Sequence, residues 1–251
     1  MSGAGQLLPY RKFDLHIHTP RSACYSVPGV TPSEIVRASL AAGLDAVAVT
    51  DHNSVAAVSE VQAAAEDSGL VVFPGVEITT HGGHFLAIFD PAAAVEEVEA
   101  LLLELGLGPG CWGDGTAVAA VDTAGVLARV VARGGLALAA HVERWPSGFT
   151  QTNLPRTEKR AIHASPYLSG LEITIAEDRP RWEEGSMLGY PVPRACVQGS
   201  DAHSPAEIGR RPVYLRMRRV GLQGLKEALE SYRDRVAFPR DMEGCKHEQG
   251  T

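Results

Sequence analysis

The sequence predicts an α/β fold in which short strands and helices alternate and the strands close into a barrel. Three observations carry this expectation. Runs such as Asp45-Ala46-Val47-Ala48-Val49-Thr50 are almost wholly apolar, as strands buried on both faces of a parallel sheet must be. Helical patterns with caps and terminal glycines lie between these runs. Nearly every apolar run then ends in Asp, Glu or His, which is the face where barrels of alternating strands and helices carry chemistry. A chain of 251 residues, 45% hydrophobic and 21% charged, is long enough for one such barrel and its core.

The elements follow in order. Residues 1–12 read as a short polar leader, frayed before the first strand. That strand ends in Asp14-Leu15-His16-Ile17-His18-Thr19-Pro20. Side chains alternate along a strand, so His16 and His18 share one face while Leu15 and Ile17 enter the apolar layer. Thr31-Pro32-Ser33-Glu34 is a capping box with proline at the first helical position, opening a helix that runs to Gly43. The strand 45–50 ends in Asp51-His52-Asn53. A helix over about 54–67 stops at Gly69, and Leu70-Val71-Val72-Phe73 is the next buried strand, with Pro74-Gly75-Val76-Glu77-Ile78 beyond it.

His84-Phe85-Leu86-Ala87-Ile88-Phe89 starts, rather than ends, with its polar residue, so this strand is expected to run antiparallel. Helices are expected over 91–106 and 116–133, with Cys111, Trp112 and Asp114 in the Gly-rich loop between them. Leu136–Ala140 is a strand ending in His141-Val142-Glu143-Arg144. A long loop-rich stretch reaches Ser165, and Gly170–Thr174 is a strand carrying Glu172. Ala195–Ser200 is the last core strand and ends in Asp201-Ala202-His203-Ser204. One more helix is expected over about 222–232. No repeat, low-complexity segment or linker interrupts the chain, so 1–251 reads as a single domain with its motifs within 13–220 and a C-terminal helix and tail over 221–251.

Two buried imidazoles side by side are costly unless their lone pairs are used. Hydrogen bonds at a strand end would serve His16 and His18 alone. The whole set decides for a divalent metal, because six of nine histidines (His16, His18, His52, His84, His141 and His203) join Glu77 and Asp201 at the same end of six strands. Imidazole is the commonest side-chain metal ligand. Composition narrows the rest. The net charge of −7 comes with no basic patch, so no strong nucleic-acid signal is read. Four cysteines lack paired spacing, and with no signal peptide or membrane-length apolar run the expected location is the cytoplasm. The oligomeric state is not legible.

Asp14-Leu-His-Ile-His-Thr19, Thr50-Asp-His-Asn53, Pro74-Gly-Val-Glu77, Ala140-His141 and Gly199-Ser-Asp-Ala-His203 resemble, in this order, the motifs of the PHP (polymerase and histidinol phosphatase) family over about residues 13–220. The resemblance implies a distorted (β/α)7, TIM-like barrel with two or three divalent ions. It places His16, His18, Glu77 and Asp201 on the first metal and His52 and His203 on the second. Glu77, His84 and His141 would hold the third, with Glu77 bridging. Mixed imidazole and carboxylate ligands suit Mn²⁺, Zn²⁺ or Fe²⁺ better than Mg²⁺ or Ca²⁺. Many members add an Asp or His after the first His-x-His. Here the slot falls on or beside Cys24, either a thiolate ligand or a small filler.

The implied activity is a metal-dependent phosphoesterase acting on a phosphate ester of a small metabolite or nucleotide. Ions about 3.5–4 Å apart can share a hydroxide that attacks phosphorus in line. Glu77, Asp201, His203 and Arg144 are the candidate catalytic residues. Arg144, three residues past His141, is the candidate phosphate clamp by its bidentate fork; Arg21 and Glu172 are further candidate substrate contacts. Either arginine could instead be a solvated surface charge. Asp51 reads as a support for a ligand histidine. The alternatives are an accessory metal-binding domain, as in family members fused to replicative polymerases, and an amidohydrolase-type C–N hydrolase.

Overall fold

The computed structural model describes residues 8–245; the start of the expected leader and residues 246–251 of the tail lie outside them. Nine strands form one sheet: β1 (Tyr10–Ile17), β2 (Ala46–Val49), β3 (Val71–Thr80), β4 (Gly83–Ile88), β5 (Leu136–Ala139), β6 (Gly170–Glu172), β7 (Cys196–Val197), β8 (Val213–Arg216) and β9 (Val236–Ala237). Their order is β7-β6-β5-β4-β3-β2-β1-β8-β9. The pairs β1–β2, β2–β3, β5–β6 and β6–β7 are parallel. β4 is antiparallel to both neighbours, as the polar start of its sequence implied.

The barrel closes at one end. Past β7 the chain reaches β1 through a parallel bridge between Ile17 and Ala202. His18 N–H donates to the Ala202 carbonyl at 2.9 Å and Asp201 N–H to the His16 carbonyl at 2.8 Å. The same bonds bring the last motif against the first. Gly199 permits this approach, since a Cβ there would lie 2.7 Å from the His16 Cβ. At its other end β1 pairs antiparallel with β8, which carries β9 outside the ring. The result is a distorted seven-strand barrel with a two-strand ribbon beside it.

The core is the apolar layer the strands were expected to build: Leu15 and Ile17 of β1, all of β2, Phe73, Val76 and Ile78 of β3, and Phe85, Leu86 and Ile88 of β4 are buried. The helix Pro32–Ala41 has its expected capping box, with Thr31 N–H donating to Glu34 Oε2 at 2.8 Å and Glu34 N–H to Thr31 Oγ1 at 3.3 Å.

Several expectations on length need correction. β3 continues past Phe73 through Pro74 to Thr80. Pro74 is tolerated because its carbonyl is still used, accepting from Phe89 N–H at 2.8 Å. The helix expected over 54–67 begins only at Val58, because Asn53 (φ 48°) turns the chain first. That expected over 116–133 begins at Thr123, capped by Asp122 through Gly125 N–H at 2.7 Å. The one expected over 91–106 is Val95–Glu104. The loop-rich stretch contains a helix, Arg156–Ala164, and a short one follows at Arg179–Glu184. No helix among the described residues is long and apolar enough to cross a membrane.

Candidate metal centre

Glu77 stands at the middle of the barrel mouth, fully buried on β3. Its Oε1 lies 2.9 Å from His84 Nδ1 and 2.9 Å from His141 Nε2. Its Oε2 lies 3.3 Å from the Nε2 atoms of both His16 and His18, and 3.0 Å from His52 Nδ1. One carboxylate therefore faces five imidazoles from four segments of chain. Burial alone would keep Glu77 neutral, but the imidazoles of His16, His84 and His52 hold it well below the usual carboxylate range.

The clearest group is His16, His18, Glu77 and Asp201. The two Nε2 atoms are 3.2 Å apart, and Asp201 Oδ1 lies 3.0 Å from His18 and 3.3 Å from His16. Four ligand atoms around one tetrahedral ion, with bonds of about 2.1 Å, would sit about 3.4 Å from one another. The observed separations, 3.0–3.3 Å, come close to that spacing.

Hydrogen bonds behind the rings set which nitrogen faces inward. Ser22 Oγ donates to Asp51 Oδ1 at 2.6 Å, so it accepts from His18 Nδ1 at 3.0 Å and leaves Nε2 for the centre. Thr19 N–H and Oγ1–H fix the same Asp51 carboxylate at 2.8 and 2.7 Å. His16 Nδ1 is 2.7 Å from Glu172 Oε2, and His203 Nδ1 is 2.9 Å from the Asp201 carbonyl. Partners of this kind fix tautomer and ring direction in metal sites.

Two further groups could hold ions: His18, His52 and His203, and His52, Glu77 and His84. They overlap the first through His18 and Glu77, which is the arrangement a bridged centre needs. His52 Nδ1 and Glu77 Oε2 are buried without a hydrogen-bond partner although they lie 3.0 Å apart. Two electron-pair donors converging without a proton well placed between them fit a shared cation. Burial pushes the His52 imidazole down to about 4, so it is neutral and able to ligate near neutral pH. His141, placed on the third metal by the resemblance, reaches Glu77 Oε1 but stands outside these three groups.

Local backbone helps aim the side chains. His141 (φ 29°) and Asp201 (φ 50°) lie in the left-handed region, as does Asn53 beside His52. Such conformations cost on the order of 1–3 kcal/mol each and persist where surroundings impose them. Asn53 anchors the loop over His52 by donating to the Asp114 and Ala117 carbonyls, both at 2.8 Å. Gly115 of that loop packs where a Cβ would lie 2.9 Å from the His52 ring.

The remaining candidates separate. Cys24 Sγ is 3.0 Å from His203 Nε2 on the open side. Burial, with Glu77 and Asp201 nearby, pushes its thiol up to about 11, so only a bound cation would make it a thiolate. Arg144 donates from Nη1 to Asp201 Oδ2 and is half-exposed. Arg21, although close to His18 in sequence, turns away to pair with Glu60 at 3.0 Å. Glu172 is buried against His16 rather than open to a substrate. Sequence reasoning passed over Ser22 and Thr19, whose hydroxyls complete the support of His18; their only signal was a position after His-x-His.

A closed α/β barrel gathering six imidazoles and two carboxylates at one mouth is a scaffold able to hold several divalent ions. Residues 14–107 match the PHP domain, so the resemblance read from the motifs stands. A 5'-3' exoribonuclease of Haemophilus influenzae is 36% identical over 72 residues, which are 28% of this chain and 24% of that protein. The lesion-specific endonuclease Q of Pyrococcus furiosus superposes with a TM-score of 0.69 at 18% identity, covering 89% of this chain and 56% of that one. A two-domain protein from Bacteroides vulgatus, containing a predicted PHP-like metal-dependent phosphoesterase, gives 0.65 at 20%, covering 92% and 65%. This chain thus spans less than two thirds of each. At these identities the solved structures speak for the fold.

One expectation is overturned here. The acidic charge balance and lack of a basic patch give no nucleic-acid signal, and the family resemblance implies a small phosphorylated substrate. Endonuclease Q, which shares this fold at a TM-score of 0.66, is seen bound to a 27-mer duplex with an abasic lesion at its active site. Net charge does not exclude nucleic acid for a barrel whose binding surface is one mouth, because ions bound there would supply local positive charge that the sequence does not show.

Proposed function

We propose that this protein is a metal-dependent phosphodiesterase that hydrolyses the sugar–phosphate backbone of nucleic acid. The observation that carries the reading is the overlap of three ligand groups through His18, His52 and Glu77 with the Arg144 guanidinium at their edge. The exoribonuclease and endonuclease names of similar proteins support the choice of polymer. His16, His18, Glu77 and Asp201 would hold one ion, His52 and His203 with Cys24 a second, and Glu77 with His84 and His141 a third. The donor set suits Mn²⁺, Zn²⁺ or Fe²⁺. When bound, such ions supply Lewis acidity and make water acidic enough to act as a nucleophile near neutral pH.

The chain's own residues do the rest. Glu172 and Ser22 keep His16 and His18 turned inward. Arg144 spends one N–H on Asp201 and keeps its other donors for phosphoryl oxygens, where a planar fork binds two at once. That contact holds the ester and offsets charge spreading over phosphorus as the P–O ester bond exchanges for water. His203 and Cys24 border the open side, where substrate enters.

The test is hydrolysis of single-stranded oligonucleotides with Mn²⁺, set against small phosphomonoesters. Arg144→Ala should lower kcat/KM by about 10²–10³ with metal content unchanged. Arg144→Lys should recover little, since a point charge lacks the fork. Full activity in both variants would assign the phosphate to another group, and cleavage of phosphomonoesters alone would sink the polymer assignment.

A further inference from the structure

Trp145 follows Arg144 directly and is 78% exposed. Isolated apolar residues on a surface are ordinary, so exposure by itself argues nothing. The other two tryptophans set the contrast. Trp182 is buried, and Trp112 is half-buried with its Nε1–H donating to the Leu107 carbonyl at 3.3 Å. Trp145 alone presents its indole to solvent, and it directly follows the arginine that donates to Asp201.

The loop carrying it is held firmly. Arg144 N–H donates to the His141 carbonyl at 2.8 Å, and Gly148 N–H donates to the Arg144 carbonyl at 2.8 Å. His84 N–H takes the Ser147 carbonyl at 2.9 Å, tying the loop to the start of β4, and Thr150 N–H reaches the Val142 carbonyl at 3.3 Å. Phe149 is fully buried behind it. Ordering a mobile side chain or loop on binding costs free energy, and a preformed platform avoids most of that cost. Adjacent Cα atoms lie about 3.8 Å apart, so the anchored backbone that carries the indole adjoins the residue whose guanidinium meets Asp201.

We infer that Trp145 is a nucleobase-stacking subsite: it takes the base of the nucleotide whose phosphate lies at Arg144. The inference rests on the proposed nucleic-acid reading and adds the part of the substrate that the metals and arginine do not touch. Every base has a π-face, so such a platform is tolerant of sequence, and it requires an unstacked base, as in a single strand or a strand end. An aromatic face with no charged partner binds the base; Arg144 binds the phosphate. The two neighbouring residues thus divide one nucleotide between them.

The test compares a mixed-sequence single-stranded oligonucleotide with a backbone of equal length whose sugars carry no bases, both with the Mn²⁺-loaded protein. The natural protein should prefer the base-bearing strand in kcat/KM by about tenfold or more. Trp145→Ala should abolish that preference by slowing the base-bearing strand alone, and Trp145→Phe should retain most of it. Tryptophan fluorescence should be quenched by the base-bearing strand and not by the base-free one, and Trp145→Ala should remove this quenching. Equal rates on the two strands in the natural protein, or an equal fall on both in Trp145→Ala, would overturn the stacking subsite while leaving the phosphodiesterase reading intact. Failure of the natural protein to cleave or bind either strand would overturn that reading, and the subsite with it.

Discussion

Two sets of buried histidines in this molecule meet opposite surroundings. Around Glu77, imidazoles from β1, β4 and three loops face two carboxylates, and in His16, His18 and His203 the second ring nitrogen is fixed by Glu172, Ser22 and the Asp201 carbonyl. His163 is also fully buried, yet it sits among Phe149, Trp182 and Tyr190 with neither ring nitrogen paired. Burial and the approach of Arg194 push it down to about 4. The contrast shows that a buried imidazole is not in itself a sign of metal. The sign is convergence on carboxylates with the opposite nitrogen fixed from behind.

The hardest way to break the comparison is to remove its centre. Glu77→Gln leaves a side chain of the same shape but without the charge that five imidazoles face, and overlapping ligand groups lose it together. Turnover should fall by at least about 10³, bound metal should drop by more than one ion, and far-ultraviolet circular dichroism should stay unchanged. A variant with natural activity would show that Glu77 is a structural acid.

A smaller effect comes from pH. Burial opposes charge on His18, but its contacts with Asp201 and Glu77 raise it to about 9 in the metal-free protein. Its charged form stabilises the fold fully below the unfolded value near 6.5, and that contribution is lost as pH rises through 9. A cation needs the neutral ring, so binding must expel this proton. Mn²⁺ affinity measured calorimetrically should therefore climb between pH 6.5 and 9, by at most about tenfold per unit for this proton. A flat profile would take His18 out of the ligand set.

The smallest effect sharpens the other half. The folded His163 lies below its unfolded value, so the unfolded chain binds more protons between about 4 and 6.5 and the fold loses stability as pH falls through that window. His163→Phe should raise Tm by a few degrees at pH 5 and by less at pH 8, with activity and metal content untouched. An equal shift at both values would mean that packing, not charge, decides the site.

Much of this was legible in the chain, for physical reasons that can be located. Strands buried on both faces leave apolar runs, so β1, β2 and β5 and the polar residues ending them could be read directly. β4 revealed its reversed direction because His84 comes first. What could not be read lies in tertiary contacts. Closure through Ile17 and Ala202 needs Gly199 only because β1 packs there. The helix Arg156–Ala164 buries only Ile162 and His163, so it has no apolar stripe to announce it. Arg21 and Arg144 both follow a ligand histidine closely, and only side-chain direction separates Glu60 from Asp201 as their partners. Overall charge does not decide on nucleic acid because it averages a surface that the mouth of the barrel does not represent.

The central claim is that the imidazoles around Glu77 gather to hold metal, and counting ions tests it most directly. Protein purified without chelator should carry at least two divalent ions per chain by elemental analysis, and dialysis against a chelator should remove them and the activity together. One ion or none in unchelated, folded protein would contradict the claim and leave the cluster around Glu77 as a hydrogen-bonded network.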